Sequence, residues 1–160
     1  MSVSLKRVYS DPGLLLMTGF GSGLSPRAPG TVGSLVGLVL FLPLLTVPIL
    51  VQIAVVVAGL IIGIFLSQRV AEALSIKDPG IIVWDEFVGM WIAMLWIPGL
   101  YWLPVAFVVF RLFDILKPWP VGWADRELEG GLGIMVDDVL AGLLTLSFIQ
   151  AGNILIHLYL

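Results

Sequence analysis

The chain has 160 residues, of which 59% are hydrophobic and only 12% charged, and its mean hydropathy is +1.09. The charged fraction is about half of that in an ordinary soluble domain, so the composition indicates a single membrane-embedded domain over residues 1–160. A formal net charge of -3 without a basic stripe argues against nucleic-acid binding, and the absence of cysteine excludes disulfides and thiolate chemistry.

Five hydrophobic segments follow one another along the chain and predict transmembrane helices. A helix that spans a bilayer needs about 20 apolar residues, and fewer where protein surrounds its ends. The segments are residues 32–47, 49–66, 84–97, 101–116 and 137–160. We therefore expect an all-α fold, an integral membrane helical bundle with about five transmembrane helices. Residues 5–20 predict a further amphipathic or partly embedded helix.

Glycines recur four residues apart on the first two predicted helices. They are Gly33 and Gly37 on the first helix and Gly59 and Gly63 on the second. Small residues at that spacing let helix backbones approach closely within lipid. We therefore interpret these glycines as packing positions without a chemical role.

The charged residues all fall near one end of the predicted bundle. Every Lys, Arg, Asp and Glu lies within residues 6–27, 69–86 or 111–138, whereas the turns at 43–48 and 97–100 carry none. With five spans these three regions share one side of the membrane. They hold every lysine and arginine, so the positive-inside rule predicts that this side, with the active site, is cytoplasmic.

A glycine-rich loop, "GFGSGLSPRAPGTVGS" at residues 19–34, precedes the first predicted span. Backbone N–H groups at a helix start, with Thr31 or Ser34 and the nearby Arg27, are able to hold a phosphate. The loop is not a Walker motif, because Gly-Lys-Ser/Thr is absent. The alternative interpretation is an ordinary loop whose helix is capped by Thr31.

Two pairs of acids each open a predicted span on the charged side. Asp85 and Glu86 precede the third span, and Asp137 and Asp138 precede the fifth. Acids at a helix start also complement the helix dipole, which is the simpler interpretation for a single residue. Two pairs on one side favour a metal site, and clustered carboxylates suit a hard cation such as Mg²⁺.

Three charged residues lie at the end of the fourth predicted span. Arg111, Asp114 and Lys117 are spaced by three, which places them on one face of a helix. Charges at such a depth are a functional hypothesis by default. The alternatives are an ion pair between Arg111 and Asp114, and a Lys117 side chain that reaches toward the lipid headgroups.

Four of these stretches together resemble the phosphatidylglycerophosphatase A family. They are "SPRAPGTVGS", "IIVWDEFVGMW", "FRLFDILKPWP" and "GGLGIMVDDVLAG", in that order between Gly19 and Gly142. The resemblance implies a bacterial inner-membrane enzyme that removes the terminal phosphate from phosphatidylglycerol phosphate and yields phosphatidylglycerol. It also implies magnesium dependence, membrane lipids as surroundings, and an all-helical fold with a central helix surrounded by others.

The resemblance also implies roles for ten residues. The expected catalytic residues are Asp85, Glu86, Asp114, Asp137 and Asp138. Asp85, Glu86, Asp137 and Asp138 are also the expected Mg²⁺ ligands. The expected substrate contacts are Arg27, Thr31, Ser34, Arg111 and Lys117. The mechanism we expect is direct hydrolysis, in which a metal-activated water attacks phosphorus in line.

Two rival functions would also place acids in a small membrane protein. A CDP-alcohol phosphotransferase also carries acids at the starts of membrane helices, but its Asp-Gly-x2-Ala-Arg signature is missing here. A small membrane transporter or assembly subunit would use the acids as an ion relay. A transport path needs polar residues at depth, whereas these acids gather at one face.

Overall fold

The computed structural model describes residues 5–159, and within that range it contains helices and no strand. The α-helices are α1 (Leu5–Ser10), α2 (Pro12–Met17), α3 (Pro29–Phe41), α4 (Ile49–Leu74), α5 (Trp84–Met94), α6 (Leu103–Leu116), α7 (Val121–Glu127) and α8 (Gly130–Tyr159). Short 3-10 segments cover Gly19–Leu24, Leu42–Thr46 and Leu100–Trp102. The all-α prediction is confirmed; Leu160, the end of the predicted fifth span, lies outside the described residues.

Three helical stretches among the described residues are long and apolar enough to cross a membrane: Pro29–Thr46, Ile49–Leu74 and Gly130–Tyr159. They match the first, second and fifth predicted spans. Helix α5 has 11 residues, a length of about 16 Å against a hydrocarbon core of about 30 Å. The predicted count of about five spans is therefore not confirmed, because α5 and α6 are shorter than the three long stretches.

Helix α5 occupies the centre of the bundle. It packs against α3, α4, α6 and α8, and all of its residues from Phe87 to Met94 are buried. Two indole N–H groups tie it to its neighbours: Trp84 donates to the carbonyl of Gly59 and Trp91 to that of Gly37, both at 2.9 Å. An apolar helix of this length is stable here because protein, and not lipid, surrounds it.

The glycines spaced by four lie where α3 and α4 meet the central helix. A Cβ at Gly37 would stand 2.9 Å from the Cα of Phe87, and a Cβ at Gly59 would stand 2.9 Å from Cζ3 of Trp91. Gly33 and Gly63 are buried as well. The interpretation of these glycines as packing positions is confirmed.

The outer helices present large apolar side chains to their surroundings. On α4, Leu50 is 76% and Phe65 72% exposed, and on α8 Leu155 is 54% and Leu158 70% exposed. A soluble domain rarely leaves so much apolar surface uncovered. These faces fit the acyl chains of a bilayer, so the chain is a membrane protein.

Candidate active site

Three acids from two helices meet at the charged end of the bundle. Asp85 and Glu86 stand in the first turn of α5, and Asp138 stands on α8. One carboxylate oxygen from each lies within 4.8 Å of the others. The carboxyl group of Asp114, near the end of α6, faces that of Asp138. We call Asp85, Glu86, Asp114 and Asp138 the acid cluster.

A glycine pair brings the two acid-bearing helices together. Gly89 lies one turn after Asp85 on α5, and Gly142 lies one turn after Asp138 on α8. A Cβ at Gly89 would stand 2.6 Å from the carbonyl oxygen of Asp138, and a Cβ at Gly142 would overlap the carbonyl oxygen of Gly89. The helices therefore touch backbone to backbone directly beside the acids, and this contact sets the distance between the carboxylates.

The donor set of the acid cluster fits a hard cation. Asp85 Oδ1, Glu86 Oε2 and Asp138 Oδ1 are buried and have no hydrogen-bond partner among the described residues. Carboxylates packed this closely repel one another, and an unpaired buried charge is costly. Oxygen ligands of this kind are those that Mg²⁺ prefers, so the three residues are suited to hold it.

Asp137, the fourth predicted metal ligand, points to a different partner. Its Oδ2 accepts a hydrogen bond from Lys117 Nζ at 2.9 Å, and its Oδ1 accepts one from the backbone N–H of Asp138 at 3.1 Å. Among the described residues it does not join the group of Asp85, Glu86 and Asp138. The structure thus gathers three of the four predicted ligands and sets Asp137 beside them.

Arg111 links the acid cluster to the start of α3. Its NH1 group lies 2.5 Å from Asp114 Oδ2, 4.0 Å from Glu86 Oε1 and 3.2 Å from the Ser34 hydroxyl. The predicted ion pair with Asp114 is therefore present. Arg111 also contacts Ser34 on α3 and Glu86 on α5. The Nε of Arg111 is buried without a hydrogen-bond partner among the described residues. That N–H is available to an anion at this site.

Lys117 lies between two carboxylates from different helices. It follows α6 directly in a left-handed conformation (φ 46°), and its Nζ contacts Asp125 Oδ1 on α7 and Asp137 Oδ2 on α8. Burial lowers the pKa of Lys117, but the hydrogen bonds to Asp125 and Asp137 outweigh it, so this pKa is raised above the ordinary value of lysine. The ammonium is therefore charged at neutral pH.

The start of α3 lies against the acid cluster. A Cβ at Gly30 would stand 3.1 Å from Arg111 NH2 and would overlap Glu86 Oε1, so the glycine permits this approach. The N-cap is Ala28, with no side-chain hydrogen bond, so the alternative in which Thr31 caps the helix is wrong. Thr31 lies inside the first turn. Its N–H and that of Gly30 precede the first helical bond, from Val32 N to Ala28 O.

The remaining predicted substrate residues differ in their surroundings. Ser34 is buried and its hydroxyl donates to the carbonyl of Gly30 at 2.8 Å, while it accepts from Arg111. Arg27 is exposed at the edge of the loop before α3. Of the predicted substrate residues, Arg111 thus contacts the acid cluster and Ser34 contacts Arg111. Lys117 contacts Asp137, the neighbour of Asp138 in the chain.

Two features of this site were missed from the sequence. One is Asp125, whose ion pair with Lys117 joins residues eight positions apart across a turn. The other is the glycine pair, although its signal is present: "DEFVG" and "DVLAG" both place a glycine four residues after an acid. That spacing puts the acid and the glycine on the same face of a helix, where a close helix crossing brings the acids together.

Comparisons with known proteins identify the family of this chain. The family model for Phosphatidylglycerophosphatase A matches residues 15–153. Phosphatidylglycerophosphatase A of Escherichia coli is 44% identical over 138 residues, covering 85% of this chain and 80% of the relative. The protein of the same name from Haemophilus influenzae is 47% identical over 137 residues, covering 83% of each. No solved structure matches significantly. The chain is a phosphatase that belongs to the phosphatidylglycerophosphatase A family.

Proposed function

We propose that this protein hydrolyses phosphatidylglycerol phosphate to phosphatidylglycerol and inorganic phosphate, a step in the synthesis of phosphatidylglycerol and cardiolipin. The observation that carries the proposal is the acid cluster at the charged end of the apolar bundle, where Asp85, Glu86 and Asp138 each have a buried oxygen without a partner among the described residues. A lipid phosphomonoester has its phosphate at that level and its acyl chains beside the helices. The names of the two relatives state the same substrate.

The cation in this proposal is Mg²⁺, held by Asp85, Glu86 and Asp138, with Asp137 at the edge of the site. When bound, it would neutralise phosphate charge and increase the acidity of water. The supporting feature is the donor set: three carboxylates with oxygens within 4.8 Å of one another, each with one buried oxygen that has no hydrogen-bond partner among the described residues. Asp114, which forms an ion pair with Arg111, lies beside Asp138 and adds negative charge to the site.

The phosphate would be held by the cationic and N–H groups around the acid cluster. Arg111 offers its unpartnered Nε, the first turn of α3 offers the N–H groups of Gly30 and Thr31, and Lys117 offers its ammonium. Ser34 orients Arg111 through its hydroxyl. Phosphoryl transfer depends mainly on positioning and charge neutralisation, which these groups supply.

One carboxylate of the acid cluster would accept the proton of the attacking water. A general base must lie within hydrogen-bond reach of that proton. Asp85 and Asp138 are the candidates, each through the carboxylate oxygen that does not hold the cation. Arg27, exposed at the loop edge, would meet the phosphate or the neighbouring headgroup as the substrate enters.

The site would face the cytoplasm in a bacterial inner membrane. The lysines and arginines among residues 6–27, 69–86 and 111–138 support this orientation through the positive-inside rule. The starts of α3 and α5, the end of α6 and Asp138 on α8 meet at the charged end of the bundle. Substrate made on the cytoplasmic leaflet would reach the acid cluster by lateral diffusion.

The test is phosphate release from phosphatidylglycerol phosphate in detergent micelles, with Mg²⁺ and with chelator. We expect release with Mg²⁺, loss with chelator, and loss in Asp85→Asn and Asp138→Asn proteins. Asp11→Asn is the matched control, because Asp11 caps α2 outside the acid cluster and asparagine caps equally well. Folded wild-type protein that releases no phosphate would refute the proposal.

A further inference from the structure

Lys117 has two carboxylate partners, although one would neutralise it. Its Nζ contacts Asp125 on α7 and lies 2.9 Å from Asp137 on α8. The side chains of Lys117 and Asp125 are 31% and 38% exposed, whereas that of Asp137 is 13% exposed. The ammonium is therefore held on the solvent side by Asp125 and on the protein side by Asp137.

The acid cluster is a competing destination for this lysine. Its four carboxylates are accompanied by the cation Arg111, which is already paired with Asp114, and Asp138 is the direct neighbour of Asp137. Lysine carries its charge on a flexible four-carbon stem, so its position depends on what anchors it. If Asp125 were absent, Asp137 alone would hold the ammonium. Asp85 and Asp138, each with a buried oxygen that has no partner among the described residues, would then compete with Asp137 for it.

We propose that Asp125 is a positioning residue that keeps Lys117 at the edge of the acid cluster and out of the space for the cation. This inference deepens the proposed function and rests on it for the role of Lys117 toward phosphate. Held between Asp125 and Asp137, the ammonium faces the phosphate without occupying the cation's ligands. Asp125 acts through Lys117 and touches neither metal nor substrate.

The decisive measurement is Mn²⁺ binding to the detergent-solubilised protein, followed by electron paramagnetic resonance, alongside phosphate release. Outer partners of metal ligands typically change affinity or activity by about 10- to 100-fold when removed. We expect Asp125→Ala to weaken Mn²⁺ binding by about tenfold, and Asp125→Ala/Lys117→Ala to restore it. A structural defect would not be repaired by deleting a second side chain.

Activity gives the second arm of the same cycle. Asp125→Ala should lower kcat/KM about tenfold, and the double variant should match Lys117→Ala alone, because Asp125 acts only through that lysine. Glu127→Gln is the matched control, an exposed acid on the same short helix. It should leave Mn²⁺ binding and phosphate release unchanged.

The outcomes separate this inference from the proposed function. Wild-type protein that releases no phosphate but shows the expected Mn²⁺ pattern would refute the proposed function and leave the positioning role standing. Unchanged Mn²⁺ binding in Asp125→Ala, no Mn²⁺ binding by the wild type, or no restoration in the double variant would overturn the positioning role. A loss of activity from Asp125→Ala that persists undiminished in the Lys117→Ala background would overturn it as well.

Discussion

The contact between Gly89 and α8 predicts a sharp sensitivity of catalysis to a single methyl group. In Gly89→Ala the new Cβ would stand 2.6 Å from the carbonyl oxygen of Asp138 and 2.7 and 2.8 Å from Cε2 and Cζ of Phe110. Well-packed heavy atoms are about 3.5 Å apart, so the carbonyl contact is about 0.9 Å too short. A backbone carbonyl inside a helix has no rotamer to escape to, so α5 and α8 must separate.

The separation of α5 and α8 would displace Asp138, one of the proposed cation ligands. The displaced carbonyl belongs to Asp138 itself, and Gly89 lies one turn from Asp85, so the distance between these two acids grows. A misplacement of about 1 Å typically costs about 100-fold in rate. Overpacking of a tight core costs about 1–3 kcal/mol of stability. We expect Gly89→Ala to fold and to lose about 100-fold in kcat for phosphate release.

The assay is steady-state phosphate release at saturating Mg²⁺, with thermal unfolding measured on the same samples. Gly152→Ala is the control: its Cβ would stand 2.9 Å from Cη2 of Trp102, a milder overlap with a side chain, on α8 but far along that helix from Asp138. It should lose stability and keep its kcat. Equal losses of kcat in the two variants, or full activity in Gly89→Ala, would refute the role of the helix crossing.

Two further substitutions test the surroundings of the acids. Trp91→Phe removes the hydrogen bond to the Gly37 carbonyl, so the free energy of unfolding should fall by about 1–3 kcal/mol with kcat unchanged; an unaltered unfolding curve would contradict the anchoring of α5. Arg111→Lys keeps the charge but loses the planar guanidinium, whose NH1 contacts both Asp114 and Ser34 and whose Nε has no partner among the described residues. Its kcat/KM should fall at least about tenfold in the phosphate-release assay, and wild-type kinetics would argue that charge alone is sufficient.

The sequence predicted which residues gather at this end of the bundle better than it predicted the number of spans. The two acid pairs, Arg111 and the loop before α3 were all expected at one end, because charges are rare in an apolar chain and each must have a reason. The number of spans depends on tertiary packing. Helix α5 is as apolar as a spanning helix, but α3, α4, α6 and α8 surround it, and composition does not distinguish burial in protein from burial in lipid.

The sequence also could not show which of Asp137 and Asp138 faces the acid cluster. Successive residues on a helix point about 100° apart, so one of the pair faces the acid cluster and the other faces Lys117. Which residue does which depends on how α8 is rotated against α5, and the contact of Gly142 with Gly89 sets that rotation. Asp125 was missed for a related reason: its partner is fixed by the turn between α6 and α7, which no periodicity describes.

The proposed role of Asp85, Glu86 and Asp138 is to hold the cation with which this chain cleaves a lipid phosphate. It is tested by phosphate release from phosphatidylglycerol phosphate as a function of Mg²⁺ concentration, in the wild type and in Asp138→Asn. We expect the wild type to saturate with Mg²⁺, and Asp138→Asn to need at least about tenfold more Mg²⁺ or to show no release. Identical Mg²⁺ dependence in the two proteins, or release that continues in excess chelator, would contradict it.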